Sequence, residues 1–164
     1  MLQGKIEVAK NDGTYVIKLS GDVRLNLCSA LETYLDNMFL DTVFKTVLID
    51  LSDADGIDST TLGHLAKISI QCKAQFGFIP SIISPREDIT RILLSMGFDQ
   101  VFYILGEMLE QISDLNELTC EKVNEELMRN KVIAAHEILM SLNDDNKNAF
   151  QELVDCLQTD NNKF

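Results

Sequence analysis

Between Thr46 and Cys72 the chain reads TVLIDLSDADGIDSTTLGHLAKISIQC, and this passage leaves few folds open. Thr46 to Leu51 is an apolar run ending in an acid, too short and too rich in Val and Ile for a helix. It predicts a central strand buried on both faces. A polar, acidic loop is expected next. At Asp58-Ser59-Thr60-Thr61 the chain turns into a helix, because Asp, Ser and Thr can each satisfy the unpaired N–H groups of a first turn. Leu62, Leu65, Ala66 and Ser69 then recur at helical spacing. A hydroxyl at such a corner is expected to stand exposed at the positive end of the helix. That suits a regulatory phosphate, and it suits a nucleophile poorly, since no base lies nearby in sequence.

The 164 residues allow one ordinary domain with an appendage. A net charge of −12 argues against nucleic acid and against anionic membrane surfaces, which Lys and Arg clusters bind. The start MLQGKIEVAK has no apolar signal region, and no apolar run reaches membrane-spanning length, so the cytosol is the expected location. Cys28, Cys72, Cys120 and Cys156 lie far apart, without metal-ligand spacing, and read as buried small apolar residues rather than a zinc site or disulfide framework. His64 and His136 share no motif. His64 lies just inside the helix after the corner, where a surface or half-buried histidine is the plain reading and a place at a partner surface the sharper one.

Taken in order, Lys5 to Val8 and Tyr15 to Leu19 alternate as strands, and Asn11-Asp12-Gly13 between them supplies a hairpin loop. Asn26 can cap a helix whose apolar face is Leu27, Ala30, Leu31, Tyr34, Leu35 and Met38. Gly77 suits a left-handed stop after the second helix, and Phe78 to Ile83 returns as a strand that Pro80 marks as an edge or a bulge. Ser84-Pro85-Arg86-Glu87 has the grammar of a capping box, with Ile89, Ile92, Leu93 and Met96 as the helix face and Gly97 as its end. Val101 to Ile104 makes a last short strand. The order predicts an α/β fold, a mixed sheet covered by helices.

The chain continues for about sixty residues in helical patterns. Glu107 to Leu118 carries Met108, Ile112 and Leu115 at helical spacing. Thr119 can cap a helix with Val123, Leu127, Ala134, Ile138 and Leu142 along one side. Asn143 to Asn146 reads as a break, and Ala149, Phe150, Leu153, Val154 and Leu157 as a final short helix before a polar tail from Thr159. An αα-hairpin is expected. This part, residues 106–164, holds −8 of the net charge. Its acidic helices read as a solvated face, or as a second docking surface for a basic partner or for another copy of the protein.

Several motifs resemble the STAS family, whose best-known soluble members are bacterial anti-sigma factor antagonists. The family pattern is an apolar strand ending in Asp and Leu, a short loop, an apolar residue, Asp-Ser-Ser-Gly-Leu-Gly and a helix. Here Val47-Leu48-Ile49-Asp50-Leu51 is followed by Ile57-Asp58-Ser59-Thr60-Thr61-Leu62-Gly63. Leu94-Ser95-Met96-Gly97-Phe98 is similar to a later family element. Gly21-Asp22-Val23-Arg24 stands where antagonists carry a Gly and, three residues on, an acid, whose place Arg24 takes. Thr60 stands for the second serine and Thr61 for the first glycine. The resemblance spans residues 1–105, with residues 106–164 as a helical extension.

The resemblance implies a non-catalytic switch that needs no cofactor or metal. Unmodified, it would dock an anti-sigma factor with a GHKL-type serine kinase fold and so regulate transcription indirectly; phosphorylation at Ser59, or secondarily Thr60, would release it, and a PP2C-type phosphatase would reset it. Candidate partner-binding residues are Asp22, Arg24, Asp58, Thr60, Thr61 and His64. The alternative is a STAS scaffold or accessory subunit of a signalling or transport assembly without a phosphate cycle, a reading that the changes at Arg24, Thr60 and Thr61 favour. Capping alone would also explain Ser59. An enzyme lacks its parts: no paired carboxylates, histidine dyad or phosphate-cradling glycine loop is present.

Overall fold

Lys5–Asn11 (β1) and Thr14–Val23 (β2) pair antiparallel across Asp12 and Gly13, whose φ values of 50° and 84° are those of a tight two-residue hairpin loop. The computed structural model describes residues 3–107, 114–119 and 123–161. Thr46–Ile57 (β3) runs parallel to β2, Ser81–Ile83 (β4) parallel to β3, and Tyr103–Leu105 (β5) parallel to β4. Asn116–Glu117 (β6) pairs antiparallel with the free side of β1. The result is a mixed sheet of order β5-β4-β3-β2-β1-β6.

β3 is central, as its composition predicts, and both of its faces carry buried residues. Val47, Ile49 and Leu51 are fully buried and Asp50 on the opposite face is buried too, whereas Thr46, Leu48 and Ser52 are half-covered. The strand also runs on through the predicted acidic loop: Ala54, Gly56 and Ile57 stay paired with Gly21, Asp22 and Val23 across a bulged register. Pairing with β2 therefore carries the chain directly to the corner. Pro80 lies before β4, which is interior rather than an edge, and its carbonyl accepts from Tyr103 N at 3.0 Å. A proline just outside a strand removes no ladder bond.

Cys28–Leu40 (α1), Ser59–Phe76 (α2) and Glu87–Ser95 (α3) are the helices of the first part. Leu27, Ala30, Leu31, Leu35 and Met38 bury the predicted face of α1, and Tyr34 packs at its margin. A 3-10 turn over Leu25–Leu27 precedes this helix, whose N-cap is Leu27 without a side-chain bond, so Asn26 is not the cap. α2 closes on Gly77 at φ 73°, the left-handed stop expected there. α3 starts later than the predicted capping box. The Ser84 amide is tied to Leu105 O at 2.8 Å, which keeps Ser84 with the sheet, and Arg86 takes the N-cap position instead.

Glu125–Leu142 (α4) and Asp144–Asn161 (α5) form the helical hairpin. The helix expected over 107–118 ends otherwise: Asn116 and Glu117 are strand, because the open edge of β1 offers backbone partners, while residues 108–113 lie outside the described ones. Asn124, not Thr119, caps α4, its Oδ1 accepting from Leu127 N at 2.8 Å. Only Asn143 separates the two helices, and α5 is as long as α4 rather than short. The buried side of α4 is Ile133, Ala135, His136 and Leu139, whereas Leu127 and Ala134 of the predicted stripe are exposed. α4 is flanked by α2 and by α5, so its buried positions spread around two sides. Cys28 and Cys72 are buried as expected, Cys156 is exposed, and Cys120 falls outside the described residues. Among the described residues no helix is long and apolar enough to cross a membrane.

Candidate functional site

The corner between β3 and α2 is held by one carboxylate. Asp58 is the N-cap of α2, with its Oδ1 accepting from Thr61 N at 2.8 Å and its Oδ2 accepting from Leu25 N at 2.7 Å. It therefore fixes the first turn of α2 and also ties the segment after β2 to it. Ser59 follows as the first helical residue, at the positive end of the helix macrodipole.

The Ser59 hydroxyl is not free in solvent, contrary to the expectation from sequence. Its Oγ lies 2.8 Å from Nε2 of His136 on α4, and Ser59 as a residue is half-buried. His136 Nδ1 lies 2.6 Å from the carbonyl of Val132 one turn back. A carbonyl only accepts, so Nδ1 carries the proton and donates. In the neutral ring Nε2 then accepts from the Ser59 O–H. His136 is 2% exposed, and its ring meets Phe150 of α5 edge-on at 4.9 Å between centroids.

The other candidate residues divide. Thr60, Thr61 and His64, expected at a partner surface, are buried in this arrangement. Thr61 Oγ1 lies 3.7 Å from Cys28 Sγ, and burial pushes that thiol up to about 12. Neither ring nitrogen of His64 meets a hydrogen-bond partner among the described residues. Burial holds its pKa below the ordinary value, against the opposing pull of Glu32. Asp22 and Arg24 do remain at the surface, paired with each other at 2.9 Å. Arg24 is the more exposed of the two and behaves as a solvated loop charge. Asp55 is held by Arg86 at 2.7 Å, and the same guanidinium donates to Ala54 O at 2.9 Å, which braces the end of β3.

Sequence reasoning missed the residues of α4 that reach this corner. Lys131 pairs with Glu32 of α1, where Lys67 also lies at 3.9 Å. Burial pushes the Glu32 carboxyl up, but Lys131, with His64 and Lys67, outweighs it and holds the carboxyl below the usual range. Ala135 sits over Gly63 so closely that a Cβ at position 63 would stand 2.4 Å from Ala135 O and 2.6 Å from its Cβ. The second glycine of the quoted motif is thus what admits α4. Helical spacing of the neighbours could have flagged His136, which lies one turn from Val132 and one turn from the apolar Leu139, but not its serine partner 77 positions away. A cavity between α4 and α5 is lined by Val123, Glu125, Met128, Arg129, Val132 and Leu157, and neither Ser59 nor His136 lines it. The Ser59–His136 pair has the hydroxyl–imidazole contact of an activated nucleophile, with the imidazole buried and the serine half-buried.

Comparison with known proteins bears on the same segment. A family model described as the STAS domain matches residues 5–114. A protein of Thermotoga neapolitana, named as a candidate anti-sigma factor antagonist, is 28% identical over 102 residues, covering 59% of this chain and 89% of its own. A protein of Thermotoga maritima with the same kind of name is 26% identical over 102 residues, covering 61% of this chain and 89% of its own.

Proposed function

Because the chain belongs to the STAS domain family, we propose that it is an anti-sigma factor antagonist that acts by binding rather than by catalysis, in the cytosol. Its partner is an anti-sigma factor with a GHKL-type serine kinase fold, and the docking face is the corner where β3 runs into α2. Phosphorylation at Ser59 releases the partner, and a PP2C-type phosphatase restores binding. The observation that carries this reading is the position of Ser59, first residue of α2 directly after the N-cap Asp58. A phosphate there brings about −1.5 to −2 charge. Asp58 lies near the Asp22–Arg24 pair, through the Asp22–Gly56 and Val23–Ile57 pairings of β2 and β3, so a closely fitted partner would meet the added negative charge beside the Asp58 carboxylate.

The bond from Ser59 to His136 supports a second reading. A hydroxyl engaged by the chain's own histidine is unavailable to a kinase while α4 stays in place. This favours a scaffold or accessory subunit that binds permanently, without a phosphate cycle.

One experiment separates the two. The purified chain and its Ser59→Ala and Ser59→Asp variants are mixed with serine-kinase-fold anti-sigma factors from the same genome, with and without Mg-ATP. The switch predicts phosphate on Ser59, none on the Ala variant, and affinity lowered at least about a hundredfold in the Asp variant, as a buried unpaired charge costs several kcal/mol. A complex that persists in ATP with no phosphate on Ser59 or Thr60 supports the scaffold and overturns the switch.

A further inference from the structure

α4 is bound to the first part of the chain as one protein is bound to another. The centre of the contact is apolar and close, with Ala135 over Gly63 and Leu139 fully buried in the core. Polar pairs flank that centre: the buried His136 meets Ser59 on α2, and the half-buried Lys131 meets Glu32 on α1. An apolar middle crossed by a few specific hydrogen bonds and ion pairs is the anatomy of an interface. The fit is incomplete at one place. His64, 4% exposed, has two ring nitrogens without a hydrogen-bond partner among the described residues. Permanent cores rarely leave such atoms unpaired, because each costs the desolvation it is never repaid. A face that has more than one occupant tolerates them.

We propose that the α4–α5 hairpin is a detachable cover: α4 occupies, within the chain, the face of α2 on which the regulatory partner docks, and the partner must displace it. This rests on the reading of the preceding subsection and adds its regulation. The residues of α4 also describe the partner. It presents a helix with a small residue opposite Gly63, since α4 lies so close there with alanine that even a Cβ at position 63 would not fit, and a cation opposite Glu32. It also offers a hydrogen-bonding group to His64. In the covered state Ser59 is neither docked nor open to a kinase, so the cover gates both events.

The test reads the cover directly. Ser59→Cys in the full chain is labelled with N-ethylmaleimide, and the modified peptide is quantified by mass spectrometry apart from the native cysteines. The same measurement is made with Lys131→Glu and Ala135→Arg added, which reverse one charge and wedge α4 off Gly63 without touching α2. Labelling at position 59 is expected to accelerate about a hundredfold, the combined effect of a reversed ion pair and an overpacked contact. Amide exchange in β2 and β3 is expected to stay slow. Equal labelling rates with and without the added changes overturn the cover. The Ser59→Cys chain alone supplies a second readout that does not depend on the added changes folding. Its labelling should rise with urea on a slope well below that of global unfolding, since lifting the hairpin exposes only the surface beneath it; a rate that rises from the first increment with the full slope of global unfolding overturns the proposal. The anti-sigma factor panel then reads competition: the opened chain should bind more tightly by a similar factor, and equal affinity overturns the docking role of the face. If no panel member binds either form while labelling still accelerates, the functional reading fails and the docking half falls with it, whereas the cover itself stands.

Discussion

His64 is the residue where the fold carries a cost that chemistry can remove. Its imidazole is buried against α1 and α4 without a hydrogen-bond partner among the described residues. His64→Leu keeps a side chain of similar bulk and removes the unpaired nitrogens, so stability should rise by about 1 kcal/mol. The urea midpoint reads this, and a fall instead would mean that His64 is satisfied. The pH dependence follows from the same burial. The folded pKa lies below the ordinary 6.5, with Glu32 of α1 and Asp58 raising it and Lys67 of α2 and Lys131 of α4 lowering it. Below about 6.5 the unfolded chain binds a proton that the folded chain refuses, so stability is fully present above that pH and drains away as pH falls. In His64→Leu this part of the slope should vanish. Single residues were unevenly legible in the sequence. Asp58 and Gly77 declare their backbone roles through local chemistry, whereas the partner of Ser59 comes from a segment remote in sequence and no local rule reaches it.

The junction of α4 and α5 shows what local rules do and do not reach at the level of elements. Asn143 to Asn146 is polar and reads as a break, yet the helix is interrupted for one residue only. Asn143 Oδ1 accepts from Asn146 N at 2.8 Å, the bond of an N-cap to the third residue on. Asn146 Nδ2 lies 2.8 Å from Met96 O and 2.9 Å from Leu139 O, so the side chain joins the hairpin to the end of α3 while itself 3% exposed. Asn146→Ala leaves those carbonyls without this donor. It should cost about 2 kcal/mol and speed amide exchange in α5 ahead of the sheet; unchanged exchange would show that the junction is held otherwise. α1 was readable because it has one buried side at a fixed period and the strands because of their apolar runs and alternation, whereas α2, buried without a break from Thr60 to Ala66, was legible through its start and stop signals. α4 was misread by one position, its side chains being covered from two directions.

Across the whole molecule the two ends of α2 do different work. At the end away from Ser59, Phe76 meets Phe44 at 4.8 Å and Phe39 at 6.4 Å between ring centroids, an aromatic cluster that also takes in Tyr15 and Phe78. Asp41 sits there, accepting from Tyr15, from Lys10 at 2.6 Å and from Val43 N at 3.0 Å, and these bonds hold its carboxyl at about 2. A depressed folded pKa means stability that is present above the unfolded value of 3.8 and lost as pH falls towards about 2. Asp41→Asn should therefore flatten the acid side of the stability profile between those values. It should leave labelling at Ser59→Cys unchanged at neutral pH, since the length of α2, about 27 Å, separates the two; a change there would show that the ends are coupled. The mixed sheet and its helical cover were legible because each strand carries its own pattern. The pairing of Asn116 and Glu117 with β1 was not, because two polar residues have no periodicity to read.

That short pairing has a kinetic meaning. β6 fastens the chain to the sheet at Glu117, and α4 begins at Glu125, so only a brief leash connects the anchored strand to the hairpin. A hairpin so tethered that lifts away returns at an effective concentration in the mM range. Any visiting protein therefore races an opponent that never diffuses off, and the affinity measured for it is its intrinsic one reduced by the fraction of time the hairpin is lifted.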